Sequence, residues 1–293
     1  MLPGMGTHGE VRHPAWEWRE MGMRWRVHHT GGVTIDHVSM ISNTIARDAM
    51  RWSRFAPASQ IARICRTPGV PIEVDAETCS LLAACDRGLA VTDGAFNVLV
   101  GDVLAAWGYR ARRRISRPGT AVSPAPDAVP DSPIVINERR RLVQVPRGTW
   151  IDLGGIAPMW SARKVADVLR NRSDDPELLL ECGNDFIAVR GDHAIELSGY
   201  GGPDGVILRE GHGLARSASG DLTWLNGDGI EANHLIDPAT ASPVANALAI
   251  VACPDPIDAD VLSTALAVRP ELLPTMEGAS FVHVKHALLG GAA

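Results

Sequence analysis

Lysine is almost absent from this sequence of 293 residues. Of its 28 basic residues only Lys164 and Lys285 are lysines, so a lysine-based mechanism has just two candidates. The 34 acidic residues outnumber the basic ones and give a formal net charge of −6. A mildly acidic chain lacks the positive field that drives sequence-independent nucleic-acid binding, so we expect no nucleic-acid partner.

Long apolar runs and paired cysteines are missing too. No apolar run approaches the ~18 residues that a membrane span needs, and residues 1–19 lack the apolar core of a secretory signal. The five cysteines are odd in number, none stands at C-x-x-C spacing, and most lie in apolar segments. This predicts buried, reduced thiols rather than disulfides or a zinc site. We expect a soluble, cytoplasmic protein without a membrane partner.

The composition is that of a globular protein, with 45% hydrophobic and 21% charged residues, and it shows no internal repeat. Residues 110–133 stand out because they begin with five arginines and continue rich in proline, alanine and serine. Proline removes a backbone donor and disfavours helix at the preceding residue, so we predict an exposed loop. Since no aromatic residues are interleaved, a solvated linker is favoured over an RNA contact.

Hydrophobic periodicity predicts helices and short strands without regular β–α–β alternation. The predicted helices cover residues 36–52, 75–89, 96–107, 161–170 and 258–268, with Asp75 as an N-cap. The predicted strands cover residues 25–29, 142–145, 150–153, 178–182, 186–190, 194–197, 247–252 and 280–286, and the second and third form a hairpin. This mixture predicts one compact α+β unit.

The most informative segment is Asp152-Leu153-Gly154-Gly155-Ile156-Ala157. A strand ends here, two glycines allow a close approach of the backbone, and a helix follows. The free N–H groups of a helix start favour an anion such as phosphate. A turn that needs glycine for packing alone explains the same residues equally well.

Asp260 and Thr264 are four residues apart, so they project from one face if residues 258–264 are helical. A carboxylate and a hydroxyl there, with a backbone carbonyl from elsewhere, suit Mg²⁺, which prefers oxygen ligands and often bridges substrate phosphates. The alternative is structural: Asp258 caps the helix and Thr264 bonds back to it.

Three further polar segments lie at predicted turns. Residues 92–97 (TDGAFN) place Asp-Gly before a helix, residues 181–185 (ECGND) lie between two apolar strands, and His234 precedes Asp237 by three residues. A histidine and a carboxylate at this spacing can supply a base and its orienting group. Each segment also has a simpler explanation: a helix start, a hairpin turn and a surface histidine before an Asp-Pro turn.

Taken in order, these five segments resemble the FAD:protein FMN transferase family, also known as ApbE-like proteins. Three more stretches agree: residues 20–23 (EMGM) resemble its Met-Gly-Thr strand, residues 53–59 (SRFAPAS) its Ser-Arg-Phe stretch, and residues 218–220 (ASG) its Thr-Ser-Gly. The resemblance is collinear and covers roughly residues 20–286. We therefore expect an N-terminal extension over residues 1–19, one domain over residues 20–289 and a flexible tail over residues 290–293.

The resemblance implies a T-fold-like α+β domain with mixed and antiparallel sheets and flanking helices, which binds FAD in a groove. It also implies an enzyme that transfers FMN from FAD to a Thr or Ser hydroxyl of an acceptor flavoprotein, with Mg²⁺ at the pyrophosphate and AMP as the second product. The physical task is that of phosphoryl transfer: to position the donor, to neutralise charge on the phosphate and to deprotonate the nucleophile.

The same resemblance implies roles for individual residues. Mg²⁺ would be held by Asp260, Thr264 and the carbonyl of Ala157. His234 and Asp260 are the candidate catalytic residues, with His234 in proton transfer and Asp237 orienting its loop. The implied cofactor-binding residues are Met21, Phe55, Asp93, Gly94, Asp152, Gly154, Gly155, Ile156, Gly183, Asp185, Ser219, Gly220 and Asp237.

The sequence departs from the family pattern at several positions. Pro158, Met159 and Trp160 stand where the family has Lys-Gly-Tyr, and Arg163 stands where it has Asp. The other replaced positions are Met23, Asn97, Asn184, Ala239 and Ala241. Besides an active transferase, two functions therefore stay open: a non-catalytic FAD-binding protein, and a repurposed scaffold for acid–base condensation or cyclisation of a small aromatic metabolite.

Overall fold

A computed structural model of the protein describes residues 16–109, 128–129, 134–275 and 278–286. In these residues a seven-stranded antiparallel sheet carries helices on one face and a small hairpin on the other. Most of the loop predicted over 110–133 and the tail predicted over 290–293 lie outside the described residues. Residues 16–19 of the expected extension form, together with Glu20, an edge strand of the sheet.

The elements follow one another along the chain as six helices and sixteen strands within the described residues. The helices are α1 (Ile35–Trp52), α2 (Gln60–Arg66), α3 (Ala76–Val91), α4 (Gly101–Ala106), α5 (Ala157–Arg172) and α6 (Pro256–Val268). The strands are β1 (Trp16–Glu20), β2 (Met23–His29), β3 (Ile72–Glu73), β4 (Val135–Asn137), β5 (Leu142–Gln144), β6 (Leu178–Cys182), β7 (Asp185–Arg190), β8 (His193–Glu196), β9 (Gly205–Leu208), β10 (Gly213–Ala218), β11 (Thr223–Leu225), β12 (Glu231–Asn233), β13 (Ile236–Asp237), β14 (Ser242–Pro243), β15 (Ala247–Cys253) and β16 (Phe281–His286).

The main sheet has the strand order β1-β2-β6-β7-β10-β15-β16, and each neighbouring pair is antiparallel. Four small sheets accompany it: β3-β5-β4, β8-β9, β11-β12 and β13-β14. The ladder between β7 and β10 covers only Ile187↔Gly213 and Phe186↔Leu214. The ladder ends at Phe186, so Asp185, the first residue of β7, is not paired with β10 in the sheet.

The hydrophobic core lies on both faces of the main sheet. Because alternate residues of a strand face opposite sides, Ala215, Ala249 and Val251 pack with the helices, whereas Leu214 and Ile250 pack with the β8–β9 hairpin. α6 lies against β10 and β15, α5 lies against β6 and β7, and α1 packs against α5. The helix predicted to carry the metal ligands therefore lies directly on the central strands.

Most of the predicted helices are present, with ends that differ by a few residues. Asp75 caps α3, because its Oδ1 accepts a hydrogen bond from Thr78 N at 2.7 Å. α6 begins two residues before the prediction because Asp255 caps it and accepts from Ile257 N at 2.9 Å. The alternative that Asp258 is the cap is wrong. The combination of helices with antiparallel sheets confirms the predicted α+β class.

The strand predicted over residues 150–153 is wrong, as is its hairpin with β5. β5 pairs instead with β4 and β3. The carbonyl of Trp150 accepts from Gly101 N at 2.9 Å, and Asp152 N donates to the carbonyl of Val98 at 2.8 Å. These backbone groups bond to the start of α4, so they are not available for a ladder with β5.

The helix predicted over residues 96–107 is shorter than expected. The side chain of Asn97 accepts a hydrogen bond from Leu99 N at 2.8 Å, and residues Val98–Val100 form a 3₁₀ turn. Bonds of this kind between a side chain and the nearby backbone compete with regular helix. The regular helix α4 therefore begins only at Gly101.

All five cysteines are buried and free, as their number and spacing predict. Burial raises the pKa of Cys65 to about 11 and the pKa of Cys253 to about 12, so both thiols are protonated at neutral pH. Among the described helices, none is both long and apolar enough to cross a membrane.

Asp175 ties the connection after α5 to the connection between β2 and α1. Its carboxylate accepts from the N–H groups of Thr30, Gly31 and Gly32 at 3.0, 2.8 and 2.6 Å, and from the Thr30 hydroxyl at 2.7 Å. Burial alone would raise the pKa of Asp175, but these hydrogen bonds outweigh it and hold the pKa at about 2. The ionised carboxylate therefore stabilises the fold at neutral pH.

We expect Asp175→Asn to lower the free energy of unfolding at pH 7 by about 2–4 kcal/mol, because an amide cannot accept all these bonds. In the wild-type protein the contribution of Asp175 should be complete above a pH of about 4 and lost as the pH falls towards about 2. Urea denaturation across this pH range measures both effects. Asp174→Asn changes an exposed neighbour and is the control; equal losses in the two variants would contradict the role of Asp175.

Candidate functional site

The predicted metal residues Asp260 and Thr264 lie one turn apart on α6, on the side that faces β10. The hydroxyl of Ser217 on β10 lies 3.2 Å from Thr264 Oγ1 and 2.9 Å from Ser263 Oγ. Asp260 is buried, and its backbone carbonyl accepts a hydrogen bond from the Ser263 hydroxyl at 3.0 Å. The helix and the strand thus enclose a small cluster of oxygen atoms.

The tandem-glycine segment forms a bend that lies beside Thr264. Asp152 shapes it, because its Oδ1 accepts from Gly154 N at 2.8 Å. A methyl group built on Gly155 would lie 3.5 Å from Thr264 Oγ1, so no side chain separates the bend from this hydroxyl. Ala157 follows directly as the first residue of α5. The structure therefore brings the glycine bend and the α6 pair together.

Asp185 joins this group from the start of β7. Where β7 and β10 separate, Arg216 N donates to Asp185 Oδ1 at 2.8 Å. Burial raises the pKa of Asp260 well above its usual value, and the negative charge of Asp185 raises it further. Burial raises the pKa of Asp185 to about 7, although the hydrogen bond from Arg216 N opposes the shift. The buried Asp260 and the half-buried Asp185 are thus two carboxyl groups that repel each other when both are ionised.

The surroundings of this acidic pair suit a hard cation. Within the part of the chain that the structure describes, no cationic side chain forms an ion pair with Asp260. The groups at hand are carboxylates and hydroxyls, and no cluster of three or more His, Cys, Asp or Glu side chains that could hold a metal occurs among the described residues. Mg²⁺ fits such a partial oxygen set because it usually keeps several waters and takes substrate phosphates as further ligands.

His234 directly follows β12. Its backbone N–H donates to the carbonyl of Leu222 at 3.3 Å. The Nδ1 atom of its imidazole is buried without a hydrogen-bond partner among the described residues. Burial lowers the pKa of His234, while the negative charges of Asp221 and Asp152 raise it. A neutral imidazole with an unused nitrogen is the form that can accept a proton.

The carboxylate of Asp237 accepts hydrogen bonds from the loop that follows His234. Its Oδ1 accepts from Ala239 N at 3.0 Å and its Oδ2 from the Thr240 hydroxyl at 3.0 Å. Arg269 Nη2 lies 3.9 Å from Asp237 Oδ1, and Nη1 of the same side chain donates to the carbonyl of Asp93 at 2.8 Å. Arg269, which the sequence did not suggest, thus connects two of the predicted groove segments.

The remaining predicted residues occupy turns at the end of the sheet. Asp93 and Gly94 have positive φ angles of 47° and 76°, and Gly183, at 67°, contacts Met23 in the strand after the Met21 turn. Ser219 is buried, and its hydroxyl accepts from Ala247 N at 3.0 Å, which fixes the turn that ends in the exposed Gly220. These residues have clear structural roles, and their contact with a ligand stays a prediction.

Sequence reasoning missed a group of aromatic residues around Arg54. Arg54 Nε lies 2.6 Å from Asp152 Oδ2, and its guanidinium lies 4.4 Å from the ring of Phe55 and 5.1 Å from that of Tyr109. The ring of Trp224 lies 5.1 Å from that of Tyr109. Arg54 and Phe55 stand in the Ser-Arg-Phe stretch, whereas Tyr109 and Trp224 come from segments distant in sequence and stood in no motif. The four form a surface of planar groups beside the bend.

The residues that stand in place of the family's Lys-Gly-Tyr lie in the protein interior. Pro158, Met159 and Trp160 are buried, and Trp160 Nε1 donates to Glu77 Oε1 at 2.5 Å. Lys164 is held by Asp48, with Nζ–Oδ distances of 3.1 and 3.0 Å. This side of α5 therefore supplies structural contacts to α1 and α3 rather than a positive charge at the bend.

Comparisons with known proteins all point to one family. A model of the ApbE family matches residues 21–279. The chain is 26% identical over 246 residues to the FAD:protein FMN transferase of Vibrio cholerae, covering 75% of this chain and 70% of that protein. It is 27% identical over 247 residues to the protein of the same name from Haemophilus influenzae, covering 75% and 69%.

Solved structures share the fold. The ApbE protein of Thermotoga maritima has a TM-score of 0.77 at 23% identity, covering 92% of this chain and 96% of that chain. The flavin transferase ApbE of Vibrio cholerae has a TM-score of 0.70 at 19% identity, with the same coverage of 92% and 96%. These likenesses confirm the predicted ApbE-type fold.

The acidic pair predicts how stability depends on pH without divalent cations. The wild-type protein should lose stability as the pH rises from about 4, where an unfolded aspartate titrates, through about 7, the raised pKa of Asp185, because the folded state resists the ionisation of Asp185 and Asp260. Asp260→Asn should remove much of this loss and melt about 2–5 °C higher than wild type at pH 8 in a chelator. Scanning calorimetry measures both melting temperatures.

Mg²⁺ at pH 8 should raise the melting temperature of the wild-type protein and leave that of Asp260→Asn unchanged. Asp174→Asn is the control and should respond as wild type does. A wild-type protein that is equally stable at pH 6 and 8 in chelator, and unaffected by Mg²⁺, would contradict this description of the acidic pair.

Proposed function

Because the chain belongs to the ApbE family, we propose that it is a FAD:protein FMN transferase, which moves FMN from FAD to a Thr or Ser hydroxyl of an acceptor protein and releases AMP. Relatives with this name, at 26% and 27% identity, support a flavin transferase function. The observation that carries the proposal is the acidic pair of the buried Asp260 and the half-buried Asp185, with Thr264 of the same helix lying against the glycine bend. An acidic, oxygen-lined site next to exposed backbone suits a bound cation and a phosphate ligand.

Asp260, Thr264 and the carbonyl of Ala157 are the residues that would hold Mg²⁺. When bound, the cation supplies positive charge to the phosphates of FAD and offsets the charge of the two carboxylates. The exposed glycines of the bend let a phosphate come close to the backbone. The protein thus contributes ligands and space, and few positive side chains of its own.

The flavin ring has a matching surface nearby. Phe55 is 42% exposed and contacts Tyr109, whose ring contacts Trp224. Arg54 lies against the rings of Phe55 and Tyr109 while it pairs with Asp152 of the bend. Planar groups of this kind favour stacking with a planar ring system. We place the flavin on this surface and its phosphates at the bend.

His234 serves as the base in this proposal. The oxygen of the acceptor hydroxyl forms a bond to the phosphorus of the FMN phosphate, and the hydroxyl proton passes to the imidazole. The bond from this phosphorus to the bridging oxygen breaks, and AMP leaves with the electron pair. Burial keeps the imidazole neutral before the step because it lowers the pKa of His234.

Incubation with FAD, Mg²⁺ and a peptide that bears an acceptor Thr tests the proposal directly. We expect the peptide to gain the mass of one FMN phosphoester and AMP to appear in equal amount. Asp260→Ala should lower the rate by about 100-fold or more, because it removes the central cation ligand; Asp167→Asn, on the exposed side of α5, should not. FAD retained without transfer would instead support a binding protein, and no flavin affinity would support the repurposed scaffold.

His234→Ala should separate chemistry from binding. We expect transfer to slow by about 100-fold, as loss of a general base does, while the dissociation constant for FAD, measured by fluorescence, changes by no more than about threefold. His234→Gln, which keeps much of the side-chain volume without a titratable group, should behave in the same way. An equal loss of binding and transfer would show that His234 holds the ligand and is not the base.

A further inference from the structure

An ion pair between Arg216 and Asp221 lies between the acidic pair and His234. Arg216 is on β10, and its side chain is 13% exposed. Its Nη1 lies 2.5 and 2.6 Å from the two carboxylate oxygens of Asp221. Asp221 ends the turn after β10, in which its N–H donates to the carbonyl of Ala218 at 3.1 Å. The ion pair therefore fixes the Asp221 side chain to β10 across this turn.

The backbone of Arg216 contacts the other end of the site. Its N–H donates to Asp185 Oδ1 at 2.8 Å, and the next residue, Ser217, places its hydroxyl 3.2 Å from Thr264 Oγ1. One residue of β10 thus fixes Asp185 through its main chain and Asp221 through its side chain. The negative charge of Asp221 also raises the pKa of Asp185.

His234 follows β12, which pairs with β11, the strand that begins two residues after Asp221. The backbone N–H of His234 donates to the carbonyl of Leu222, the residue after Asp221. The charged groups that act on the imidazole are Asp221, Asp152 and Arg216; the two aspartates raise the pKa of His234, whereas burial, which is the largest influence, and Arg216 lower it. Of these three charges, that of Asp221 has the largest effect on the pKa of His234.

We propose that the Arg216–Asp221 ion pair is a positioning element for His234: it holds the Asp221 carboxylate beside the histidine and keeps a negative charge there while the imidazole takes up a proton. The role rests on the proposed function, in which this proton comes from the acceptor hydroxyl. Asp221 favours the positive imidazolium, and Arg216 fixes the distance from which it acts. Neither side chain needs to touch FAD or the acceptor.

NMR titration of His234 tests the proposal without any transfer reaction. The signal of His234 is identified by its absence in His234→Gln. In Asp221→Asn the midpoint of its titration should fall by about 0.5 pH units or more, because the negative charge with the largest effect on His234 is lost. In Arg216→Gln the midpoint should also fall, because Asp221 is released from its position, but by less than in Asp221→Asn, because a positive charge is lost at the same time. Asp167→Asn breaks an Asp–Arg pair on α5 and is the matched control, with no change expected. An unchanged midpoint in Asp221→Asn would overturn the proposal.

Kinetics then show whether the ion pair acts in the reaction. Asp221→Asn should lower kcat for FMN transfer by about tenfold and leave KM for FAD within about twofold, and the acidic limb of the pH–rate profile should move to lower pH. Asp221→Glu keeps the charge and should restore the position of that limb. A limb that stays in place in Asp221→Asn, or a fall in kcat matched by a rise in KM, would assign the pair a merely structural role. If the wild-type protein transfers no FMN, the proposed function fails, while the NMR titration still decides whether Asp221 acts on His234.

Discussion

The ionisation of the buried Asp260 beside a second carboxyl group, Asp185, is the main electrostatic cost in this structure. Asp260 lies inside the contact between α6 and β10, and Asp185 lies where β7 and β10 separate. Removal from water disfavours the charged form of each, and their mutual repulsion adds to the effect. Such a pair is stable either when a proton is retained or when a cation binds between the groups. The oxygen atoms of Ser217 and Thr264 nearby favour the second arrangement when a cation is present.

The other buried carboxylates show that this fold normally provides its own partners. Asp48 pairs with Lys164 at 3.0 Å, Glu181 pairs with Arg26 and His28, and Asp175 is surrounded by backbone N–H groups. Asp260 is the exception among the buried carboxylates of the described residues. The cation that we propose for this site would compensate the charge of Asp260 when it ionises. The near absence of lysine and the structural use of Lys164 point in the same direction.

Local signals allowed the sequence to predict much of the fold and part of the site. The spacing of apolar residues located α1 and α6, and the N-cap Asp75 was visible because capping depends on only a few neighbouring residues. The pairing of Asp260 with Thr264 followed from helical geometry alone. The strand at 150–153 was mispredicted because those backbone groups bond to the segment before α4, a long-range contact that no local pattern reveals. For the same reason the proximity of Asp185 to Asp260, the Arg54–Asp152 pair and the Arg216–Asp221 pair became visible only in three dimensions.

The most direct test of this account is the position of a bound ion. Crystals grown with FAD and with Mn²⁺ in place of Mg²⁺ allow an anomalous difference map to locate the metal without reference to the protein. The account predicts one strong peak about 2–2.5 Å from the Asp260 carboxylate and the Thr264 hydroxyl, in contact with the FAD phosphates. A peak at other residues, or FAD bound at the glycine bend with no metal at Asp260, would contradict it.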